Sequence, residues 1–289
     1  MTGYRFVSSH EDVYPVNKLC ELTGVSRSGF YAWAGRGPAK RTVADAHLED
    51  TIRTIHHRSR RTYGAPRIEG QLRKLGICVG RKRVARLMHE AHLVGAHSRK
   101  KWRRGKVDVA PAGDLLNRDF SASRPNERWV ADVTEFHTGE GKLFLAGVRD
   151  LYGRGLVGWA MSERQSADLV IDAMVMAVGR RNPTGPLVHH SDKGSTYTAL
   201  SFTQHLEDLG LFPSYGSTGD AYDNAAMETF WATLKREIAW IHGSIYFKTR
   251  AELRSILFEY IEVFYNRERA QAGLGHLTPA AYEAAFSAA

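Results

Sequence analysis

Three carboxylates and one ammonium stand out by type and spacing in this chain of 289 residues. Asp132 lies in the alternating run WVADVTEF, on the pleat face it shares with Val130 and Thr134. A carboxylate on a strand face is costly to bury without a partner. Asp192 follows a short apolar run that leads into a Gly/Ser turn, and strand ends at a sheet crevice are where α/β proteins place function. Glu228 lies in YDNAAMETFWATLKRE, where Met227, Trp231, Leu234 and then Ile238 recur at helical steps of three and four. Lys235 comes seven residues after Glu228. Both therefore project from one side of a helix, about 10 Å apart along its axis. A surface ion pair is the plain reading, although its usual spacing is four. The other reading is chemical. Carboxylates converging from separate elements repel and raise one another's pKa. Hard divalent cations relieve that repulsion, and two such ions can serve phosphodiester chemistry by activating an attacking hydroxyl and stabilising the leaving oxygen.

These positions need a sheet with helices packed on it. Short β-rich runs at 129–136, 142–149 and 156–161 are separated by HTGEG and DLYGRG, which carry Gly where hairpins need it. An antiparallel meander is expected. A helix over 167–181 follows, with Leu169, Ala173, Met176 and Ala177 on one face, then a strand at 187–190, a helix at 199–209 and a strand at 212–215. The helix bearing Glu228 comes next. The pattern predicts a mixed α/β sheet with helices on both sides. A last helix, 250–265, presents Leu253, Leu257, Ile261 and Phe264 and is too short for a coiled coil, so it packs on the core.

The rest of the chain is basic. Residues 36–106 carry a local charge of +15 within a total of +9, leaving the remainder at −6. So lopsided a distribution points to a polyanion partner, against the alternative of a merely solvated surface. Two helix-turn-helix patterns agree. In YPVNKLCELTGVSRSGFYAW a helix over 16–22 stops at Gly24, and Ser26 can cap a second over 27–33. In YGAPRIEGQLRKLGICVGRKRVARLMHEAHLVG, Pro66 opens a helix with Ile68, Leu72 and Leu75 inward. Gly76 stops it, and a helix over 81–91 follows with Val84, Leu87 and Met88 inward. Arg81, Lys82, Arg83 and Arg86 surround its start, as insertion into a major groove requires. HSRKKWRRGK then reads as a linker in which Lys100, Lys101, Arg103 and Arg104 track phosphates and Trp102 stacks.

Several functions are disfavoured. No apolar run is long enough to cross a membrane, and the N-terminus lacks an apolar signal segment, so a cytoplasmic location is expected. Cys20 and Cys78 are far apart and read as core residues, not as a zinc or disulfide framework. Ser191 and Ser195 lack a nucleophile elbow. His189 and His190 lie just before Asp192, but oxygen ligands suit Mg²⁺ better, so one is read as strand-end packing and the other as a DNA or supporting contact. Asp150 reads as a turn residue, Asp220 as a helix cap, Glu135 as a cross-sheet ion-pair partner and Trp231 as core.

The order Asp132, Asp192, Glu228, with 35 residues between the last two and Lys235 seven beyond, resembles the DD(35)E signature of retroviral integrases and IS3-family insertion-sequence transposases. HHSDKGSTYTA, DAYDNAAMETFWATLKRE and YNRERAQAGLGHLTPAAYE extend the likeness to OrfB-type transposases over roughly residues 14–285. The resemblance implies an RNase H-like core in which Asp132, Asp192 and Glu228 hold two Mg²⁺ or Mn²⁺ ions. It implies nicking at element ends, then strand transfer by the freed 3′-hydroxyl. Lys235 would contact DNA, and Asp223 and Asn224 would support the helix of Glu228. It also implies terminal inverted repeats and target DNA as partners, a homo-oligomer on paired ends, and an upstream OrfA-type partner in some members. Gln271 stands where the family usually has His. No cysteine pair matches the zinc domain of retroviral integrases, which favours the bacterial branch. The initial Met is compatible with an isolated downstream product.

The expected organisation is a helix-turn-helix segment over 1–40, a second over 41–97, a basic linker over 98–124 and the catalytic core with C-terminal helices over 125–289. The competing functions are a catalytically silent repressor and a nuclease without strand transfer. If the basic half binds DNA, affinity falls steeply as salt rises, because each neutralised phosphate releases counterions. Fluorescence anisotropy of a duplex across a KCl series checks this; a flat salt dependence contradicts it.

Overall fold

Alternation in the run from Arg128 to Thr138 builds the central strand. The structure is a computed structural model that describes residues 2–37, 39–96, 121–192, 196–197, 200–215 and 225–287. Lys100, Lys101, Trp102, Arg103, Arg104, Asp220, Asp223 and Asn224 lie outside the described residues.

Strand β1 (Arg128–Thr138) pairs antiparallel with β2 (Gly141–Asp150), and β2 pairs antiparallel with β3 (Leu156–Ser162). The expected five-residue turn shrinks to Gly139 and Glu140, because the ladder continues to Thr138 and Gly141. Gly141 has φ +110°, a conformation that a side chain would strain. On its other edge β1 pairs in parallel with β4 (Val188–Ser191), which pairs in parallel with β5 (Phe212–Tyr215). The sheet order is β3-β2-β1-β4-β5. Parallel neighbours need crossovers, supplied by α7 (Ala167–Arg181) and α8 (Leu200–Asp208). Then come α9 (Ala225–His242), α10 (Arg250–Glu259) with its π-helical continuation Tyr260–Glu268, and α11 (Pro279–Ser287).

The pleat sorts the core into two layers. Trp129, Ala131 and Val148 face α7 and α8, packing with Leu169, Ala173, Met174, Phe202 and Leu206. Val130, Phe136, Leu143 and Leu145 face α9 and α10, packing with Met227, Trp231, Leu234, Leu253, Leu257 and Ile261. Each large side chain buried this way stabilises the fold by about 1.5–3 kcal/mol. A one-residue slip would exchange the two faces, so register is strongly specified. This mixed sheet between helices is the expected RNase H-like arrangement.

By contacts the chain divides into Met1–Thr51 and Ile52–Ala289. In the first unit α1 (Gly3–His10), α2 (Val16–Thr23) and α3 (Arg27–Ala34) enclose Val7, Leu19, Cys20 and Phe30. Gly24 ends α2 in the left-handed region at φ 67°, and the Ser26 hydroxyl accepts from Gly29 N to cap α3. Helix α1 was not expected, nor was α4 (Lys40–Arg58), which runs across the division. The periodicity of α4 is weak, with only Leu48 and Ile52 among its aliphatic residues fully buried.

In the second unit α5 (Ala65–Lys74) and α6 (Arg81–Glu90) bury Ile68, Leu72, Val84, Leu87 and Met88 as expected. Leu75 departs from expectation at 63% exposed, because α5 has ended and its residue at the cap no longer projects to the buried face. Cys78 is exposed, not core. These helices join the rest of the unit through a buried charge. Glu237 of α9 is fully buried and accepts from Arg269 Nε and Nη2, both at 2.8 Å, from Tyr260 Oη at 2.9 Å and from Arg67 Nη1 of α5 at 3.4 Å. Burial alone would raise the Glu237 carboxyl; the hydrogen bonds and charge of Arg269, then the charge of Arg67, outweigh it and hold Glu237 below its ordinary range. Replacing Glu237 by Gln leaves two guanidinium groups uncompensated. The expected cost is about 3–5 kcal/mol in urea unfolding near neutral pH. The deficit shrinks in acid, below the usual carboxylate range, as parental Glu237 itself takes up a proton.

Candidate active site

Register brings the first two carboxylates together. Val130 pairs in parallel with His190, so two residues further along each chain Asp132 and Asp192 leave the same stretch of sheet where β4 ends. Asp132 is half-buried on the face covered by α9. Its Oδ1 accepts from Val133 N at 2.8 Å, and its Oδ2 accepts from Trp231 Nε1 at 3.0 Å. Glu228 precedes Trp231 by one helical turn, within the first turn of α9. There the helix dipole favours negative charge.

The electrostatics of Asp132 record this crowding. Burial pushes its carboxyl up to about 6; the Val133 amide opposes, the Asp192 charge adds, the Trp231 indole opposes and the Glu228 charge adds. Tyr197 belongs to the same corner. Its hydroxyl is buried without a hydrogen-bond partner and is raised well above its ordinary value by burial, then by Asp132 and Asp192.

Supporting positions come from β2. Gly147 is the register partner of Asp132. A Cβ on Gly147 would stand 2.8 Å from the Trp231 ring and 3.1 Å from Leu156, so its bare backbone is the slot through which the indole reaches β1. Two residues on, buried Arg149 donates to the Ala226 carbonyl at 2.6 Å and so anchors the start of α9 beside Glu228. Gly147, Arg149 and the polar role of Trp231 escaped the sequence reading. A glycine inside a strand, opposite a charged residue, was the available signal.

Lys235 lies on the same flank of α9, its Nζ 5.2 Å from the Phe136 ring centroid. Burial lowers its pKa, against the charges of Glu135 and Asp132. Among the described residues no ion pair joins it to Glu228, so the plain surface pairing is not made. Glu135 instead pairs across the hairpin with Lys142 at 2.8 Å. His190 Nδ1 lies 2.9 Å from Ser214 Oγ, and His189 is fully buried against Tyr197 and Phe202 with neither ring nitrogen partnered. Burial, then the His190 charge, pulls His189 down to about 3, so it stays neutral. Asp150 does close the turn after β2, accepting from Tyr152 N and Gly153 N, but it is also fully buried and accepts from Asn126 N and Trp129 Nε1. On α6, Arg81 and Lys82 are exposed while Arg83 and Arg86 are half-buried, Arg86 pairing with Glu90 at 3.0 Å.

The donor chemistry fits a hard divalent cation: three carboxylates, no thiol, and imidazoles engaged elsewhere or buried. The structure brings the acids to one corner without closing them into a coordination shell. Among the described residues no group of three or more His, Cys, Asp or Glu side chains could hold an ion. A cavity of about 440 Å³ lies elsewhere, lined by Arg58, Tyr63 and Lys74, and takes no part in this corner.

The folded chain holds the Asp132 proton more tightly than the unfolded chain, with the ordinary value at 3.8 and the folded one at about 6. Stability therefore falls as pH rises through that window, and above it the ionised group costs up to about 3 kcal/mol. In chelator, Asp132→Asn unfolds at higher denaturant concentration than the parent at pH 7.5, and the difference vanishes at pH 3.5. An equal shift at both pH values contradicts the assignment.

Comparisons with known proteins agree with this architecture. An integrase core domain family matches residues 122–221, a second integrase core domain family matches 228–285, and an HTH-like domain family matches 43–101. The chain is 42% identical over 269 residues to the insertion element IS600 uncharacterized 31 kDa protein of Shigella sonnei, covering 91% of this chain and 97% of that protein. It is 35% identical to transposase InsF for insertion sequence IS3A of Escherichia coli (strain K12), covering 97% and 98%. It is 38% identical to the transposase for insertion sequence element IS904 of Lactococcus lactis subsp. lactis (strain IL1403), covering 86% and 98%. Among the described residues no helix is long and apolar enough to cross a membrane. With an integrase core split over two matched segments, an HTH-like domain before it and relatives this similar over almost their whole length, the chain belongs to the IS3 family of insertion-sequence transposases.

Proposed function

We propose that this transposase nicks DNA at the ends of its element and joins the freed 3′-hydroxyl to target DNA, with Asp132, Asp192 and Glu228 as the metal-holding catalytic acids. The observation that carries this reading is the Asp132 carboxylate, half-buried in β1, its ionisation opposed by both Asp192 and Glu228. Mg²⁺ or Mn²⁺, two ions per site in this reading, supplies Lewis-acid stabilisation of the attacking and leaving oxygens when bound. The protein's own part is placement. Trp231 holds one oxygen of Asp132, the Val133 amide holds the other, and Arg149 fixes the first turn of α9. In nicking, water attacks the phosphodiester and the 3′ oxygen departs as a hydroxyl. In transfer, that hydroxyl forms a new phosphodiester while a 3′ oxygen of the target leaves, so the number of phosphodiester bonds is unchanged.

DNA is the substrate in this reading, as terminal inverted repeats and as target. Helix α6 enters a major groove with Arg81 and Lys82 foremost, while Arg83 and Arg86 steady it on the backbone. Lys235 meets a phosphate near the reacting bond, and the basic segment with Lys100, Lys101, Trp102, Arg103 and Arg104 tracks the backbone. Asp223 and Asn224 support the start of α9. A homo-oligomer on paired ends, with an upstream OrfA-type partner, completes the assembly.

A labelled element end incubated with Mg²⁺ tests the proposal. Nicked and joined products are expected; nicking alone identifies a nuclease, and shifted but uncut DNA, even with Mn²⁺, a repressor. Asp132→Asn, Asp192→Asn and Glu228→Gln each lower product formation by more than about 10²-fold while leaving DNA affinity within a few-fold of the parent. Trp231→Phe, which removes only the indole donor to Asp132, lowers it by about 10–100-fold.

A further inference from the structure

A basic site lies on another flank of α9. Thr233 stands about 140° around the helix from Glu228. Beside it opens a cavity of about 180 Å³, lined by Arg67, Arg149, Arg154, Arg269 and Gln271 and by no carboxylate. At roughly 30 Å³ per water, it has room for a group of several heavy atoms.

The cavity is short of negative charge and holds one unmet donor. Arg67 and Arg269 share a single carboxylate, Glu237, behind the wall. Arg149 is buried, and its hydrogen bonds go to the neutral carbonyls of Ala226 and Arg154, at 2.6 and 3.2 Å. Among the described residues neither Arg149 nor Arg154 has an ion-pair partner. Arg154 is held as a feature of the backbone. It sits at φ 57°, and its carbonyl accepts from Arg149 and from Tyr265 Oη at 3.1 Å. Its guanidinium lies over Gly273, where a Cβ would stand 2.3 Å from Nη1. Gln271 is 8% exposed, and its backbone is engaged with Leu277, Leu274 and His276. Its Nε2 is buried without any partner. An unmet buried donor costs about 1–3 kcal/mol, and here it lines a pocket of guanidinium groups.

Guanidinium groups in surplus, with only the neutral oxygens of Thr229, Thr233, Tyr265 and Gln271 beside them and no carboxylate, select an anion that presents several oxygens. Guanidinium forks match phosphate geometry. We propose that this pocket is a phosphate-binding subsite that takes one backbone phosphate of duplex DNA, with Arg149, Arg154 and Gln271 as its donors. The pocket itself stands on geometry; only the choice of DNA as the source of the phosphate rests on the function proposed above.

The test uses the full chain in chelator, where no strand cleavage is required, so its outcome is independent of the catalytic proposal. Arg154→Gln alters an exposed side chain, and circular dichroism verifies its fold. Anisotropy of a labelled duplex of arbitrary sequence, followed across KCl, is expected to show the slope of log K against log salt reduced by about 0.9 relative to the parent. Gln271→Leu, which removes no charge, weakens binding several-fold at unchanged slope. Inorganic phosphate at matched ionic strength raises the thermal midpoint of the parent above its value in chloride, and Arg154→Gln loses that increment. Phosphate stabilisation with an unchanged Arg154→Gln slope overturns DNA as the source and leaves a free-phosphate site. No phosphate increment in the parent, together with an unchanged slope, overturns the pocket altogether.

Discussion

The hydrogen bond from Trp231 to Asp132 joins the two parts of the molecule on which the active corner depends. One end is a carboxylate in the middle of the central strand, the other a side chain of the helix that carries Glu228. A charge that deep in a sheet is unfavourable unless it is hydrogen-bonded. The indole supplies that bond from within an apolar layer whose other members are aliphatic or aromatic. The same contact fixes the rotation of α9, because Glu228 lies one turn from Trp231. Gly147 makes the approach possible and Arg149 holds the helix start, so strand β2 shapes the corner without contributing a carboxylate to it. Burial first, and then the like charges of Asp192 and Glu228, raise the Asp132 carboxyl to about 6. Such tension is what a site poised for cations would hold in reserve.

A second constraint acts on the far side of the same helix. Glu237 is a buried carboxylate whose hydrogen bonds come from α5, from the π-helical segment and from the loop holding Arg269. Further polar contacts run alongside it. Trp240 donates to the Arg61 carbonyl at 2.9 Å, Tyr63 Oη accepts from Ala270 N at 2.6 Å, and Lys74 reaches the His276 carbonyl at 2.6 Å. Buried ionic groups are weak evidence for stability but can specify one arrangement among several apolar alternatives. Here they register the helices of the HTH-like segment against the helix of the candidate active site. Helix α9 thus serves two masters: Glu228 and Trp231 face the sheet corner, while Glu237 faces the docked helices.

Much of this was legible in the residues. Helix α7 and strand β5 match their expected bounds, and the remaining expected strands and helices differ by a few residues at their ends. Period-2 and period-3.6 patterns are local, and strong burial enforces them. Misses have equally local causes. Weak apolar periodicity hid α4, and α1 is a short helix with a single fully buried residue, Val7. Leu75 fits the period of α5 but lies beyond its end, where periodicity no longer sets direction. Trp231 fits an apolar stripe, so its indole donor was invisible to a pattern that scores only hydrophobicity.

By itself, then, the amino-acid order determined the fold class, the charge division and the acidic residues worth watching, because these follow from periodicity, composition and spacing along the chain. It also carried the resemblance to the family to which the chain belongs. Tertiary structure decided the rest. Only the parallel pairing of β1 with β4 sets Asp132 beside Asp192, only the packing of α9 over Gly147 turns a core tryptophan into a carboxylate partner, and only the fold gathers four arginines and one unpaired amide around a cavity. Those relations join positions far apart in the chain. They arise when whole faces are buried together, and no local pattern encodes which distant residue will lie across the interface.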